Sequence, residues 1–249
     1  MDIIQAIEKR ISCRAFTAQQ PDDETVRKLE QEIAAINDES GLHFQLYGPR
    51  ENGTAIDMAP NMFASNPPYY AALVAQKDPI EEEKLGYFGE RFVLFAEMLG
   101  LSTCWVASTY DHDTVRVDLA PTEVLHDVVP LGYAPEKIPF RQRTIRSAIR
   151  GRSKKLDDLY RGPVPLSQAP EWVRACVDAV WKGPSAINEQ PVVFVQDAID
   201  GPVRAELSRV KTGMEYCDLG IAKYHFQIVA EACGITGTWQ WGDGGTFQA

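Results

Sequence analysis

Long hydrophobic runs are missing from this sequence. No stretch approaches the roughly 18 consecutive apolar residues that a membrane-spanning helix needs, and no apolar run of signal-peptide length follows Met1 and Asp2. These two absences predict a soluble, cytoplasmic protein with no membrane partner. The chain of 249 residues is nevertheless 45% hydrophobic, which is ample for a buried core.

An excess of positive charge is missing as well. Lysine and arginine number 25 against 35 aspartate and glutamate residues, which gives a net charge of −10. A nucleic-acid-binding protein needs a basic surface to neutralise phosphates, so we expect no nucleic-acid partner. Any anionic ligand must be held by a local cluster of basic residues.

Paired cysteines, histidine clusters and the common nucleotide motifs are also absent. The five cysteines are widely spaced and odd in number, which favours reduced thiols over a disulfide framework or a zinc site. The four histidines show no ligand spacing, so no metal is expected. No G-x-G-x-x-G follows a strand, and there is no Walker loop and no G-x-S-x-G elbow. A Rossmann domain is therefore disfavoured, and nothing in the sequence specifically supports hydrolysis.

Hydrophobic periodicity, proline and glycine predict an α+β chain. Helices are predicted over residues 2–10, 22–37, 81–99, 171–181, 201–209 and 216–233, with a helical turn at 121–123. Strands are predicted over residues 43–47, 69–75, 105–107, 128–133 and 192–195. The glycines of residues 242–245 predict a flexible tail. The chain is expected to divide into an N-terminal half (1–136), a connector (137–169) and a C-terminal half (170–249).

The two long helices belong to an internal repeat with an offset of 134 residues. Identical residues recur through the helix, the following turn and a tryptophan: Leu85/Leu219, Gly86/Gly220, Phe92/Phe226, Ala96/Ala230, Glu97/Glu231, Gly100/Gly234 and Trp105/Trp239. Chance similarity between two amphipathic helices could supply some of these pairs, but glycines, tryptophans and a glutamate in register together favour a duplicated half-domain. Duplication implies a pseudo-twofold axis, and such a pair can keep one ligand cleft while the other decays.

Residues 137–155 form a basic segment in an otherwise acidic chain. They hold eight basic residues and no acidic one: Lys137, Arg141, Arg143, Arg146, Arg150, Arg152, Lys154 and Lys155. A run of this kind is either a solvated linker or an anion site. Its residues alone favour the linker.

Three polar segments are candidates for ligand binding. Arg10, Ser12 and Arg14 set two guanidinium groups around a hydroxyl, a spacing that suits a phosphate, although an ordinary helix end can have the same composition. Residues 184–191 read Pro-Ser-Ala-Ile-Asn-Glu-Gln-Pro and offer the mixed donors and acceptors that a flavin-like ring requires, unless they form only a cap and a turn. Residues 100–105 form a tight turn that could approach a planar ligand or simply end a helix.

Together these segments resemble the nitroreductase family, whose flavin site uses an Arg-x-Ser-x-Arg start, a Pro-Ser-x-x-Asn-x-Gln-Pro segment, a Gly-Leu-x-Thr turn and a late basic segment. The resemblance covers nearly the whole chain. It implies an α+β, three-layer fold of two related half-domains that form an intrachain pseudo-dimer, with FMN as the cofactor. The residues that it assigns to FMN are Arg10, Ser12, Arg14, Gly100, Leu101, Ser102, Arg141, Arg143, Pro184, Ser185, Asn188 and Gln190.

The order of the segments departs from the family pattern. The usual chain carries the Pro-Ser-x-x-Asn segment soon after its first helices, where residues 41–44 here read Gly-Leu-His-Phe. Residues 164–168 read Val-Pro-Leu-Ser-Gln where a second Arg-x-Ser-x-Arg would stand. Each half has what the other lacks, so the resemblance implies one complete flavin site and one empty site per chain.

The activity implied by the resemblance is that of an NAD(P)H-dependent FMN oxidoreductase acting on nitroaromatic, quinone or similar acceptors. The flavin would carry the chemistry, and no catalytic acid or base is assigned. NAD(P)H and a small-molecule substrate are the expected partners of a monomer or homodimer. Two alternatives stay open: a degenerate flavin-binding or flavin-free interaction protein that keeps the fold, and a different flavin chemistry such as dehalogenation or flavin breakdown.

Overall fold

The computed structural model describes all 249 residues, and the chain folds into two compact units. Unit 1 comprises Met1–Asp2, Lys9–Lys77 and Phe92–Ile149, and unit 2 comprises Ile3–Glu8, Asp78–Arg91 and Arg150–Ala249. None of the helices combines the length and apolar character needed to cross a membrane. The predicted segment boundaries at residues 136 and 169 stay a prediction.

Unit 1 is built on a four-stranded antiparallel sheet. Its strands are β1 (Gln45–Tyr47), β2 (Tyr69–Gln76), β3 (Ser102–Thr103) and β4 (Glu123–Gly132), in the order β1-β2-β4-β3. Its helices are α2 (Asp23–Ser40), α4 (Phe140–Arg150) and the last turns of α3 (Pro79–Met98). The apolar run of β2 is buried almost throughout, as expected for a central strand.

Helix α2 shows how local chemistry fixes an element. The Asp22 carboxylate accepts the backbone N–H of Thr25 at 2.7 Å, which satisfies one of the donors left open at a helix start. Gly41 ends the helix in the left-handed region at φ 74°, and its N–H donates to Asn37 O. The predicted helix is confirmed and runs three residues further than expected.

Unit 2 contains a five-stranded mixed sheet. Its strands are β5 (Tyr160–Arg161), β6 (Val192–Gln196), β7 (Val203–Leu207), β8 (Thr238–Trp239) and β9 (Gly245–Gln248), in the order β5-β6-β7-β9-β8. Only the β5–β6 pair is parallel. Its helices are α5 (Glu171–Lys182), α6 (Met214–Ala232), the early turns of α3 and most of α1 (Ile3–Lys9), with short 3₁₀ helices at Leu156–Leu159, Leu166–Gln168 and Ala186–Asn188.

The two sheets share one strand order. If β5 is set aside, β6-β7-β9-β8 repeats β1-β2-β4-β3 with the same antiparallel pairings, and a long helix stands between the second and third strands in sequence in both units. Both long helices end in the same way, with Gly100 and Gly234 left-handed at φ 84° and 82°. The duplicated half-domains predicted from the sequence are confirmed, as is the α+β class.

Within unit 2, the early turns of α3 cross α6 at a matched pair of glycines. A Cβ atom on Gly86 would lie 1.9 Å from Cys217 O, and one on Gly220 would lie 1.8 Å from Glu83 O. Glu83 and Cys217 are themselves 134 positions apart, so the two contacts are equivalent under the repeat. Glycine is required at both positions because the backbones touch.

One predicted helix is wrong. Residues 201–209 contain strand β7, which pairs with β6 from Val203 to Leu207. Val203 and Ala205 are buried and Arg204 is half-buried, an alternation with the period of a strand. Five residues are too few for periodicity to separate the two structures, and pairing with a neighbouring strand decided the outcome.

Smaller corrections concern loops and strand ends. The helical turn expected at residues 121–123 is wrong, because β4 begins at Glu123. The strand expected at residues 105–107 is reduced to a single bridge between Val106 and Val128, since β3 lies earlier. The basic segment contains helix α4, and the tail predicted to be flexible is held in place, with Gly242 O accepting from Lys223 Nζ at 3.0 Å.

Candidate functional site

The polar segment that follows α5 forms a strained turn in unit 2. Three of its residues, Ile187, Asn188 and Gln190, have φ values of 45°, 59° and 46°. Residues other than glycine rarely adopt this left-handed backbone conformation. Each one that does lowers the stability of the fold by about 1–3 kcal/mol. We call residues 183–191 the polar turn. Its surroundings must supply the stabilisation that keeps this backbone in place.

Part of that stabilisation comes from Ser185 and Gln190. The Gln190 N–H donates to Ser185 Oγ at 2.9 Å, which closes the turn on itself. The buried Gln190 amide then donates to Trp181 O at 2.9 Å and accepts from the Lys154 N–H at 2.8 Å. Both ends of this amide are therefore committed to the protein's own backbone.

The end of the basic segment also contacts the polar turn. Asn188 Nδ2 donates to Ser153 Oγ at 3.0 Å, next to the Lys154 contact. On the exposed side, Arg209 pairs with Glu189 at 2.6 Å. Asn188, Glu189 and Gln190 of the turn are therefore each held by a contact to another segment of unit 2.

Asp218 on α6 was not among the predicted site residues. Its Oδ1 accepts the backbone N–H of Ala186 at 2.9 Å, in the middle of the polar turn. Burial raises the pKa of this carboxyl to about 7, and the charges of Glu215 and Glu189 add to the rise, while the Ala186 hydrogen bond opposes it. The sequence carried one weak signal, an acidic residue within a helix that is apolar around most of its circumference.

A narrow cavity lies beneath the polar turn. It is lined by Gly183, Ser185, Gln190, Asp218 and apolar side chains, and its volume is about 20 Å³. This is room for about one or two water molecules rather than for an organic ligand. The cavity therefore belongs to the support of the turn.

In unit 1, residues 10–17 run along β3 and β4. The Cys13 N–H donates to Thr103 O at 2.8 Å, and the Thr17 N–H donates to Tyr133 O at 2.9 Å. Burial raises the pKa of the Cys104 thiol, and Arg14, Arg10 and Ser12 oppose that rise. The predicted Arg-x-Ser-x-Arg segment therefore lies beside the predicted turn at Gly100, Leu101 and Ser102.

The two arginines of that segment differ in their surroundings. Arg10 is buried and faces Glu97: burial raises the pKa of the Glu97 carboxyl, and the positive charge of Arg10 is the strongest opposing influence. Arg14 is half-buried, and no carboxylate lies within ion-pairing distance of its guanidinium. Arg14 is thus the member of the pair with donors to offer to an external anion.

Helix α4 is attached to the loop before β2 by its first turn. Arg141 donates to Pro60 O at 2.9 Å and to Asn61 O at 2.7 Å, and Gln142 donates to Met62 O at 3.0 Å. Arg141 is therefore a structural anchor of the helix. Arg143, two residues further along α4, is exposed and has no acidic partner.

The same loop also holds the Arg-x-Ser-x-Arg segment. The Ala64 N–H donates to Arg14 O at 2.8 Å, and Ser65 Oγ bonds both the N–H and the carbonyl of Phe16 at 2.6 and 2.8 Å. Residues 60–65 thus connect Arg14 to the start of α4. The structure brings together within unit 1 the predicted members Arg10, Ser12, Arg14, Gly100, Leu101, Ser102, Arg141 and Arg143, whereas Pro184, Ser185, Asn188 and Gln190 belong to unit 2.

A family model described as "Putative TM nitroreductase" matches residues 2–230. The chain belongs to this nitroreductase family. The resemblance inferred from the sequence motifs is thereby confirmed, and the match extends across both units.

Solved structures extend the comparison. The crystal structure of a "putative nitroreductase" from Thermotoga maritima is 21% identical, with a TM-score of 0.67, and the match covers 99% of this chain and 92% of that one. The two chains therefore share one fold over nearly their whole lengths. No match was found among curated proteins.

Two further structures match at a lower level. An FMN-dependent nitroreductase from Clostridium difficile is 17% identical, with a TM-score of 0.42, and covers 54% of this chain and 89% of its own. A nitroreductase with bound FMN from Bacteroides fragilis is 18% identical, with a TM-score of 0.43, and covers 56% and 92%.

Proposed function

We propose that the chain binds FMN and acts as an oxidoreductase that passes electrons from NAD(P)H to a small aromatic acceptor such as a nitroarene or a quinone. Membership of a nitroreductase family supports the reaction class. The observation that carries the cofactor is Arg14, a half-buried guanidinium with no acidic partner in a chain of net charge −10. Arg14 occupies a position of the Arg-x-Ser-x-Arg motif that the resemblance assigns to binding the phosphate of FMN.

The unit 1 residues fit a phosphate in chemistry and in rigidity. A guanidinium offers several donors in a fixed plane, which suits phosphate oxygens. Arg14 is flanked by backbone hydrogen bonds from Cys13 to Thr103 and from Ala64 to its own carbonyl. Because this backbone is fixed before a ligand arrives, little conformational entropy is lost on binding.

The polar turn fits a ring with mixed donors and acceptors. Ser185 Oγ accepts the Gln190 N–H, and its own hydroxyl hydrogen is used in none of the protein's hydrogen bonds. Ser185 can therefore donate to a carbonyl of the ring. We assign Gln190 to holding the turn rather than to touching the ring, because both ends of its amide are engaged.

These contacts suggest a role for each residue in binding FMN. When bound, FMN would supply the hydride and electron chemistry. Arg14 and Arg143 are the proposed contacts of the phosphate, with Ser12 and Ser102 beside them in unit 1. Ser185 and Asn188 are the proposed contacts of the ring, supplied by the same chain or by a second copy. Arg141 donates to Pro60 and Asn61 and so holds in place the loop whose Ala64 N–H donates to Arg14 O.

Titration of the purified protein with FMN, followed by fluorescence quenching, tests the cofactor. A preformed phosphate grip should give saturable binding with a dissociation constant at or below about 10 µM. Reduction of the bound flavin by NADH or NADPH without oxygen, followed by reoxidation on addition of a nitroarene or quinone, then tests the reaction. Absence of saturable binding would reject the FMN proposal and favour a flavin-free interaction protein with this fold.

A further inference from the structure

We propose that Asp218 is a positioning residue whose carboxylate holds the polar turn in its strained conformation and loosens that hold when it takes up a proton. The proposal concerns the conformation of the turn and stands on contacts within unit 2. Its consequence for FMN rests on the function proposed above, because the turn carries Ser185 and Asn188.

The contact lies at the point of greatest strain. Asp218 Oδ1 accepts the N–H of Ala186, and the next two residues, Ile187 and Asn188, are both left-handed. The other ties to the turn's interior use neutral groups, as in the Ser185 and Gln190 contacts. A hydrogen bond to an ionised acceptor is about twice as strong as one between neutral groups. The Asp218 contact is therefore the one whose strength a single proton can change.

No cation offsets the charge of Asp218. The charged groups that act on its carboxyl are Glu215 on α6 and Glu189 in the polar turn, and both raise its pKa. Glu189 is already paired with Arg209. The elements packed on the other sides, α5 and the 3₁₀ helix Leu156–Leu159, contribute the apolar side chains Val180 and Leu159 to the cavity wall.

The carboxyl therefore changes charge near neutral pH, where its pKa is about 7. The Ala186 hydrogen bond by itself lowers the pKa of Asp218, so ionisation strengthens this one contact, and below pH 7 a neutral carboxyl replaces the charge-assisted bond with a weaker one. The burial that raises the pKa acts instead on the folding of unit 2 as a whole. Burying an ionised carboxyl costs stability, so its presence beneath the turn is typical of a functional position. The proposed FMN affinity should accordingly decline as the pH falls through 7.

Hydrogen exchange on the ligand-free protein tests directly whether the Asp218 carboxylate stabilises the polar turn. After correction for chemical exchange rates, the peptide over residues 183–191 should be about fivefold better protected at pH 8 than at pH 6. Asp218→Asn keeps an acceptor but loses the charge, so its protection should be equal at both pH values. Asp218→Ala should lose protection at both. Asp200→Asn, an exposed carboxyl in unit 2, is the matched control and should behave as wild type.

A second measurement covers the case in which Asp218→Ala does not fold. The backbone amide resonance of Ala186 should shift with a midpoint near pH 7 in the wild type and stay constant in Asp218→Asn. An Ala186 resonance that does not titrate between pH 6 and 8, or equal wild-type protection at the two pH values, would overturn the proposal. If the protection of the polar turn depends on pH as expected but FMN does not bind, the proposed function fails while the role of Asp218 stands.

Discussion

The ammonium group of Lys223 donates to Glu83 Oε1 at 2.5 Å, and neither side chain is exposed to solvent. Its remaining donors reach Gln240 O at 2.9 Å and Gly242 O at 3.0 Å, and Glu83 Oε2 accepts the Gly242 N–H at 2.6 Å. Every donor of the ammonium is satisfied, so a full charge is tolerated in the interior of unit 2. This pair fixes the segment between β8 and β9.

Removing one partner of that pair should be costly. Lys223→Met leaves the Glu83 carboxylate buried without its counter-charge, so we expect a loss of about 3–5 kcal/mol in the free energy of unfolding. Urea denaturation measures this loss. Lys28→Met, which breaks the exposed pair with Glu24, is the control and should cost less than about 1 kcal/mol. Equal effects of the two substitutions would contradict the prediction.

The helix crossing in unit 2 should not tolerate a methyl group. Gly220→Ala would set Cβ 1.8 Å from Glu83 O, so α3 and α6 must separate, and we expect a destabilisation of at least about 3 kcal/mol. Gly41→Ala is the control, since its Cβ meets nothing within 4 Å and only the left-handed backbone is penalised, by about 1 kcal/mol. Thermal unfolding of both variants ranks the two effects. A milder effect at Gly220 than at Gly41 would show that the crossing can relax.

Arg14→Ala should weaken FMN more than riboflavin. Loss of a charge-assisted phosphate contact corresponds to about 10- to 100-fold in the dissociation constant for FMN, whereas riboflavin lacks the phosphate. Arg143→Ala should act in the same direction. Arg27→Ala, which removes an exposed guanidinium of α2, is the control for net charge. An equal loss for both ligands would mean that Arg14 shapes unit 1 instead of gripping phosphate.

One FMN per chain is the stoichiometry that we predict, because the Arg-x-Ser-x-Arg and Pro-Ser-x-x-Asn segments each occur once. Absorbance of flavin released from a known amount of protein measures it. Coexpression of Arg14→Ala chains with Ser185→Ala/Asn188→Ala chains separates two ways of building such a site. Recovery of flavin would show that two chains share the segments, and no recovery is expected if one chain supplies both.

The stability of the chain should respond to pH through Asp218. Its pKa is about 7 in the folded protein and 3.8 for the free side chain, so folding favours the protonated form. The contribution of this group to stability is present below pH 4 and is lost as the pH rises toward 7. Asp218→Asn should therefore be more stable than wild type by about 2–4 kcal/mol at pH 8 and equal to it near pH 4. Urea unfolding at the two pH values checks this, and a constant difference would contradict it.

Elements that are fixed by local chemistry could be predicted from the sequence. Asp22 and Gly41 indicate the two ends of α2, and the repeated glycines at 100 and 234 indicate equivalent helix ends. The strand at residues 203–207 could not be predicted, because pairing with β6 overrides a pattern too short to interpret. In both cases the deciding factor was the distance along the chain over which the stabilising contacts act.

The sequence motifs indicate candidate site residues, which stay a prediction, but they do not indicate the contacts that these residues make. The motif indicates Arg141 and Gln190 as binding residues, yet their donors are directed at backbone carbonyls on other segments. Asp218 carries no motif, because its importance arises from an N–H that lies 32 residues earlier in the chain. Contacts of this range are set by tertiary packing, which a single sequence does not encode as a local pattern.

The two copies of the repeated half-domain differ most in the connection between their first two strands. In unit 2, residues 197–202 join β6 to β7 with six residues, whereas residues 48–68 join β1 to β2 with 21. The longer connection supplies the carbonyls of Pro60, Asn61 and Met62 that seat α4. Because the strand order is the same in both units, the fold tolerates a change in the length of this connection. The short connection in unit 2 is therefore a place where new segments could be grafted into this scaffold.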